Sequence, residues 1–272
     1  MNATLPSVAV TVAPNGSYKM RSDHPALPIT PAELARCASA CVERGAGMFH
    51  LHVRDRDGRH LLDAEAYGEA TTAIRRAVGD RMIIQATSEA AGRYAPFEQM
   101  AAIRATRPEA VSLALRELVR KEDEVAAATQ FIEDLDRAST MIQVILYSAA
   151  DLAAWRALRQ RGAFGSRPQT LLFVLGRYTE NQTSTPADLL PFLAEPVEVP
   201  FSVCAFGRFE RDCVLTAALL GGHARVGFEN NLHMPDGQLA PSNEALVGTL
   251  VEALTSLGRR TSSAEEIRSQ YR

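Results

Sequence analysis

Two hydrophobic periods take turns along this chain. Short runs rich in Val, Ile, Leu and Ala, whose side chains alternate between two faces, give way to longer stretches with apolar positions every three or four residues. The runs predict strands at 8–13, 48–53, 82–87, 110–115, 141–147, 170–175, 199–205 and 223–228. The stretches predict helices at about 31–44, 64–78, 94–104, 121–137, 149–161, 186–194, 209–220 and 241–257. Local punctuation agrees. Pro14-Asn15-Gly16 is a turn signal after the first run, and Thr30 with Pro31 and Glu33 has the form of a capped helix start. A second capping box, Ser262 to Glu265, predicts a short closing helix towards Tyr271.

Strands alternating with helices demand parallel pairing through helical crossovers. The predicted fold class is therefore α/β, a closed (β/α)₈ TIM barrel formed as one domain by residues 1–272, with a short C-terminal helix. An open doubly wound sheet is the alternative, but no Gly-rich dinucleotide fingerprint follows the first strand.

In the strand around residue 50, Phe49, Leu51 and Val53 share one face and His50, His52 and Arg54 the other. Two imidazoles so placed can share a metal ion, and a carboxylate such as Glu229 would complete a three-ligand site with an open position. Read as ordinary structure, the same residues are hydrogen-bonded core histidines and a surface carboxylate. Arg225 falls on the same predicted face as Glu229. Inward positions on other strands carry Thr11, Gln85, Thr87, Ser112 and Gln143, which predicts a polar pocket at the C-terminal end of the barrel.

Composition narrows the field without naming a chemistry. A net charge of −3 with no Lys/Arg block leaves no electrostatic footprint for nucleic acid, so small-molecule chemistry is expected. No basic leader followed by an apolar run and no membrane-length apolar segment is seen, which predicts a cytoplasmic protein without a membrane partner. Cys37, Cys41, Cys204 and Cys213 lack metal-finger or redox spacing and read as buried free thiols.

As a set, the segments VAPNGSYK, HPALPITPAELA, GAGMFHLHVRDRDGRH, LLFVLG and GGHARVGFENNLHMPDGQLAPSNEALV resemble the β-keto acid cleavage enzymes over nearly the full length. The resemblance implies a homo-oligomeric barrel enzyme using Zn²⁺, in which a β-keto acid and acetyl-CoA give acetoacetate and a new acyl-CoA. It implies His50, His52 and Glu229 as zinc ligands and Arg225 as a catalytic arginine. Several family positions differ. Asn230 replaces an Asp proposed to assist proton transfer, and Tyr18 stands where the first loop is acidic. Thr87-Ser88-Glu89-Ala90 replaces Ser-Thr-Gly-Gly, Leu115-Arg116-Glu117-Leu118 replaces Gly-Thr/Ser-x-Asn, and Met141-Ile142-Gln143 replaces Glu-x-Glu. The expected substrate shell is thus Thr87, Ser88, Ser112, Arg116 and Gln143, with Asn230 at the catalytic position and Glu89 as a stand-in base. Two other readings remain: an amidohydrolase-like metal hydrolase, and a metal-binding barrel that has lost turnover.

Overall fold

The strands in chain order are β1 (Val10–Val12), β2 (Met48–His50), β3 (Val53–Arg54), β4 (His60–Leu61), β5 (Ile83–Thr87), β6 (Ala110–Ala114), β7 (Met141–Leu146), β8 (Thr170–Leu175), β9 (Phe201–Ala205) and β10 (His223–Val226). All but β3 and β4 pair in parallel and close into a barrel, β10 returning to β1 with Thr11 opposite Arg225. The structure is a computed structural model and describes residues 5–165 and 167–271. Around the barrel run α1 (Pro31–Glu43), α2 (Ala64–Val78), α3 (Pro96–Thr106), α4 (Leu115–Leu118), α5 (Val125–Arg137), α6 (Ala149–Gln160), α7 (Glu210–Leu219) and α8 (Asn243–Ser256), with α9 (Ala264–Ser269) at the end. Thr30 caps α1 with its side chain, and Glu33 returns the bond to the Thr30 N–H, as the sequence predicts. The box of α9 starts one residue later than predicted, at Ser263 with Glu266.

Where the elements differ from expectation, the chain chemistry supplies the reason. The predicted strand 48–53 leaves the barrel after His50, and Val53–Arg54 folds onto His60–Leu61 as a hairpin closed by Asp55, whose Oδ1 accepts the N–H of Asp57 and Arg59. The predicted helix 121–137 begins as a 3₁₀ turn at Glu122–Glu124 before α5, and an unpredicted helical turn, α4, precedes it. Segment Pro186–Leu193 is 3₁₀ rather than α; Pro191 inside it has no N–H to offer an α ladder. The last strand stops at Val226 because Gly227 has φ +141°, and a Cβ there would lie 2.3 Å from the Ala13 carbonyl oxygen. All four cysteines are free, three of them buried and Cys37 half-buried.

The barrel interior is layered. Ala9, Met48, Ile83, Ala110 and Met141 make an apolar floor, sealed by Ala264, Ile267 and Tyr271 at the C-terminus. One pleat higher sit Gln85, Ser112, Gln143, Thr170 and Ser202, all buried. Gln143 accepts from Gln85 Nε2 (3.3 Å) and donates to Thr170 (3.4 Å) and Ser202 (3.5 Å), and Thr170 meets the Tyr271 hydroxyl at 2.6 Å. The network pairs Gln85, Gln143, Thr170 and Ser202, polar groups that would be costly to bury alone, while the Ser112 hydroxyl is left without a partner. The next pleat opens towards the strand C-terminal ends.

Gly227→Ala tests the junction after β10. Its Cβ would collide with backbone in a region L-residues rarely adopt, so a loss of about 2–4 kcal/mol is expected in urea unfolding. An unchanged midpoint would show that the strand end relaxes freely.

Candidate metal centre and active site

Strand β2 delivers His50, the irregular link after it delivers His52, and the turn after β10 delivers Glu229. His50 Nε2 and His52 Nε2 stand 3.0 Å apart, and each is 3.5 Å from Glu229 Oε2. Both rings are essentially fully buried. Among the described residues, this is the one His/Cys/Asp/Glu group with metal-holding geometry.

The outer hydrogen bonds decide which ring nitrogens carry protons. His50 Nδ1 lies 2.8 Å from Gln85 Oε1, and because Gln85 spends its Nε2 on Gln143, that oxygen accepts the Nδ1 proton. For His52 the relay is longer. His60 Nε2 is 2.8 Å from the Glu89 carbonyl, an obligate acceptor, so neutral His60 donates there and offers a bare Nδ1. His52 Nδ1, 3.5 Å away, is the matching donor. Burial pushes His60 down to about 3, so the ring is neutral near pH 7. Both Nε2 lone pairs therefore point at one another and at an ionised carboxylate. Glu229 Oε2 itself is buried with no hydrogen-bond donor. Burial would raise the Glu229 carboxyl, but the Arg225 guanidinium holds it well below the usual carboxylate range.

Glu229 is held by backbone as much as by side chains. Its N–H bonds Ala13 O at 3.1 Å, and Lys19 Nζ bonds its carbonyl at 2.7 Å. Gly16 packs against it so closely that a Cβ would sit 2.5 Å from Glu229 Cγ. Arg54, whose side chain the strand alternation aimed at the histidines, instead grips the first loop, donating to Asn15 O and Lys19 O at 3.1 Å each and to Gly16 O. Arg225 NH2 pairs with Glu229 Oε1, while its Nε is buried without a partner.

Two cavities meet at this centre. An outer one of about 400 Å³ is lined by the first loop with Lys19, Glu89, Arg177, Phe206 and Glu229. A smaller inner one reaches His50, Thr87, Glu89, Arg225 and Glu229 and continues over Ala114, Ile145 and Val174. Thus Thr87, Glu89 and Arg225 of the predicted set face the chamber, and Glu89 Oε2 comes within 3.8 Å of His52 Nε2. The structure places the others elsewhere. Gln143 and Ser112 belong to the polar layer one pleat below. Ser88 is buried behind the strand, its carbonyl taken by Gln99. Arg116 turns outward to Asp151 at 2.6 Å and across the Tyr147 ring. Asn230 is buried outside the lining of both cavities, where its backbone closes the turn by bonds with Gly227 and Gly207.

Sequence reasoning passed over His60, Lys19 and Arg177. Arg177 stands two residues past the end of β8, a barrel strand end where site residues are expected. His60 closes a hairpin whose Asp-Arg-Asp-Gly turn was readable in advance.

A family model described as beta-keto acid cleavage enzyme matches residues 7–272. The 3-keto-5-aminohexanoate cleavage enzyme of Fusobacterium nucleatum is 30% identical over 95% of this chain and 95% of its own. The 3-oxoadipate:acetyl-CoA acetyltransferase of Cupriavidus necator is 24% identical over 96% and 93%. Among solved structures, apo ObcA superposes with a TM-score of 0.72 at 18% identity, over 91% of this chain and 65% of that one, a likeness of fold alone. With the match to the family model running over the whole barrel, the chain belongs to the β-keto acid cleavage enzyme family.

Proposed function

We propose that this enzyme exchanges acyl groups between a β-keto acid and acetyl-CoA, and that it does so with Zn²⁺ held by His50, His52 and Glu229. One observation carries the metal: two proton-free imidazole nitrogens and an ionised carboxylate oxygen converge in a buried site, and although Arg225 holds Glu229 Oε1, no hydrogen-bond donor among the described residues reaches Oε2. Two imidazoles and one carboxylate are a donor set that suits zinc and leaves a position open. When bound, the ion supplies Lewis acidity for a keto oxygen and charge stabilisation for an enolate.

In the net reaction the bond between the ketone carbon and the α-carbon of the acid breaks, and one between the acetyl carbonyl carbon and that α-carbon forms. The acetyl C–S bond breaks as well, acetoacetate leaves, and the distal acyl group departs bonded to the CoA sulfur so released. Arg225 is positioned for the anionic end of the acid, since Glu229 fixes one arm of its guanidinium and the buried Nε is free to donate. Glu89 is the carboxylate suited to take and return the α-carbon proton, as it lines both cavities and Asn230 lies outside them. The family match and the acetyl-CoA named in the Cupriavidus necator relative support this exchange. A hydrolase of the amidohydrolase type would need further metal ligands on later strands. At those positions Gln143 and Ser202 bond to each other instead.

Four measurements test the reading. Elemental analysis should find one divalent ion per chain, lost in His50→Ala and in Glu229→Ala. His60→Phe, which removes the acceptor for His52 Nδ1, should weaken metal affinity about 10–100-fold in a chelator competition with the fold intact; unchanged affinity would show that His52 is oriented by other means. Arg225→Lys should retain the metal yet lose about 10²–10³-fold in turnover, because a point charge does not replace the fork. Glu89→Gln should retain the metal and lose about 10²-fold or more in acetyl-CoA-dependent consumption of the acid; wild-type rates would remove Glu89 from proton transfer.

A further inference from the structure

The chamber is chemically two-sided. Following each strand one pleat above the polar layer, the side from β10 through β2 to β5 presents Arg225, His50 and Thr87, together with the nearby Glu229 and Glu89. The opposite side presents Ala114 from β6, Ile145 from β7, Val174 from β8 and Cys204 from β9, which pack with Phe206 and Tyr147 into one apolar cluster. Registers place Ala114 beside Ile145, Ile145 beside Leu172 and Val174 beside Cys204, and Leu172 packs in the same cluster one pleat below Val174, so the apolar arc is continuous across four strands. It faces the metal-binding residues across the inner cavity.

Charges near this arc are already engaged. Arg177 lies 4.0 Å from Glu89 and sits over the rings of Tyr18 at 4.7 Å and Phe206 at 5.4 Å. Arg116 is turned away to Asp151. Glu117 Oε2 accepts from Ala90 N–H at 2.9 Å and from Gln99 at 3.0 Å. A charged group entering the arc would lose its hydration and find no free counter-charge, because Arg177 and Glu89 offset each other. The outer cavity, open to solvent beside Lys19, remains for the approach of acetyl-CoA.

We infer that the acid taken by this site carries a short, uncharged alkyl group beyond its ketone, seated on Ala114, Ile145, Val174 and Cys204. The inference rests on the proposed exchange reaction and specifies its substrate class. Neither an anionic nor a cationic distal group, such as the amino group in the substrate name of the Fusobacterium nucleatum relative, has a partner there.

The test uses the metal-loaded protein and three kinds of acid: 3-oxopentanoate and 3-oxohexanoate, the dianion 3-oxoadipate, and 3-keto-5-aminohexanoate. Calorimetric binding without acetyl-CoA should favour the alkyl acids by about 100-fold, the scale expected when a hydrated charge is refused by an apolar pocket. Turnover with acetyl-CoA should follow the same order. Ile145→Ala should move the optimum towards longer alkyl chains, a change that loss of fold would not produce. Selective binding of the alkyl acids without turnover would sustain the inference and overturn the exchange reaction. Turnover that prefers a charged acid would overturn the inference and sustain the reaction, and an absence of binding by every acid would overturn both.

Discussion

Everything at the top of this barrel is arranged around one electrostatic problem, the burial of three lone-pair donors within 3.5 Å of one another. Left to themselves, two imidazoles would share a proton or turn apart. Here neither is free to do so. Gln85 takes the outer proton of His50, and His60 with the Glu89 carbonyl takes that of His52. The repulsion is thus built in by hydrogen bonds remote from the centre, and the proposed cation would relieve it. The fold must be rigid enough to hold that arrangement.

Rigidity comes from below and from the flank. The Gln85 amide that orients His50 is tied through Gln143 to Thr170 and so to Tyr271, near the chain end. That terminal segment also seals the apolar floor. On the other flank, buried Glu210 accepts from Gly227 N–H and from Asn231, and Asn243 binds both Phe228 N–H and Pro14 O. Burial pushes the Glu210 carboxyl up to about 8. These contacts shape the turn that presents Glu229, so the carboxylate arrives from a turn with little room to move.

The departures from the family pattern have a common effect on the chamber. Glu89, at a position where the resemblance implies a glycine, faces Arg177 at 4.0 Å. Neutral Gln143 lies in the polar layer in place of a carboxylate, and above it the strand ends are aliphatic. One half of the chamber carries His50, Glu229 and Arg225, and the other, lined by Ala114, Ile145, Val174 and Cys204, is apolar.

How much of this was readable in advance depends on the range of the interaction. Eight strand-helix repeats, their faces, and the cap of α1 follow from local periodicity and local hydrogen bonding, and so were legible, while the box of α9 was placed one residue early. His50 and His52 were legible because two residues on one strand share a face by geometry, and Glu229 because its segment resembles a known one. The sequence by itself could not decide which polar residues reach the chamber. Thr87 and Gln143 share the inward face of their strands, yet a pleat of height separates cavity lining from buried network. Arg116, Ser88 and Asn230 lie beyond strand ends, where no periodicity dictates direction; Asp151, Gln99 and the Gly207 backbone settled their roles. Lys19, His60 and Arg177 act through partners up to 210 residues away, as between Lys19 and Glu229. Such pairings exist only once the barrel has closed, and ring closure is a tertiary event that no local pattern encodes.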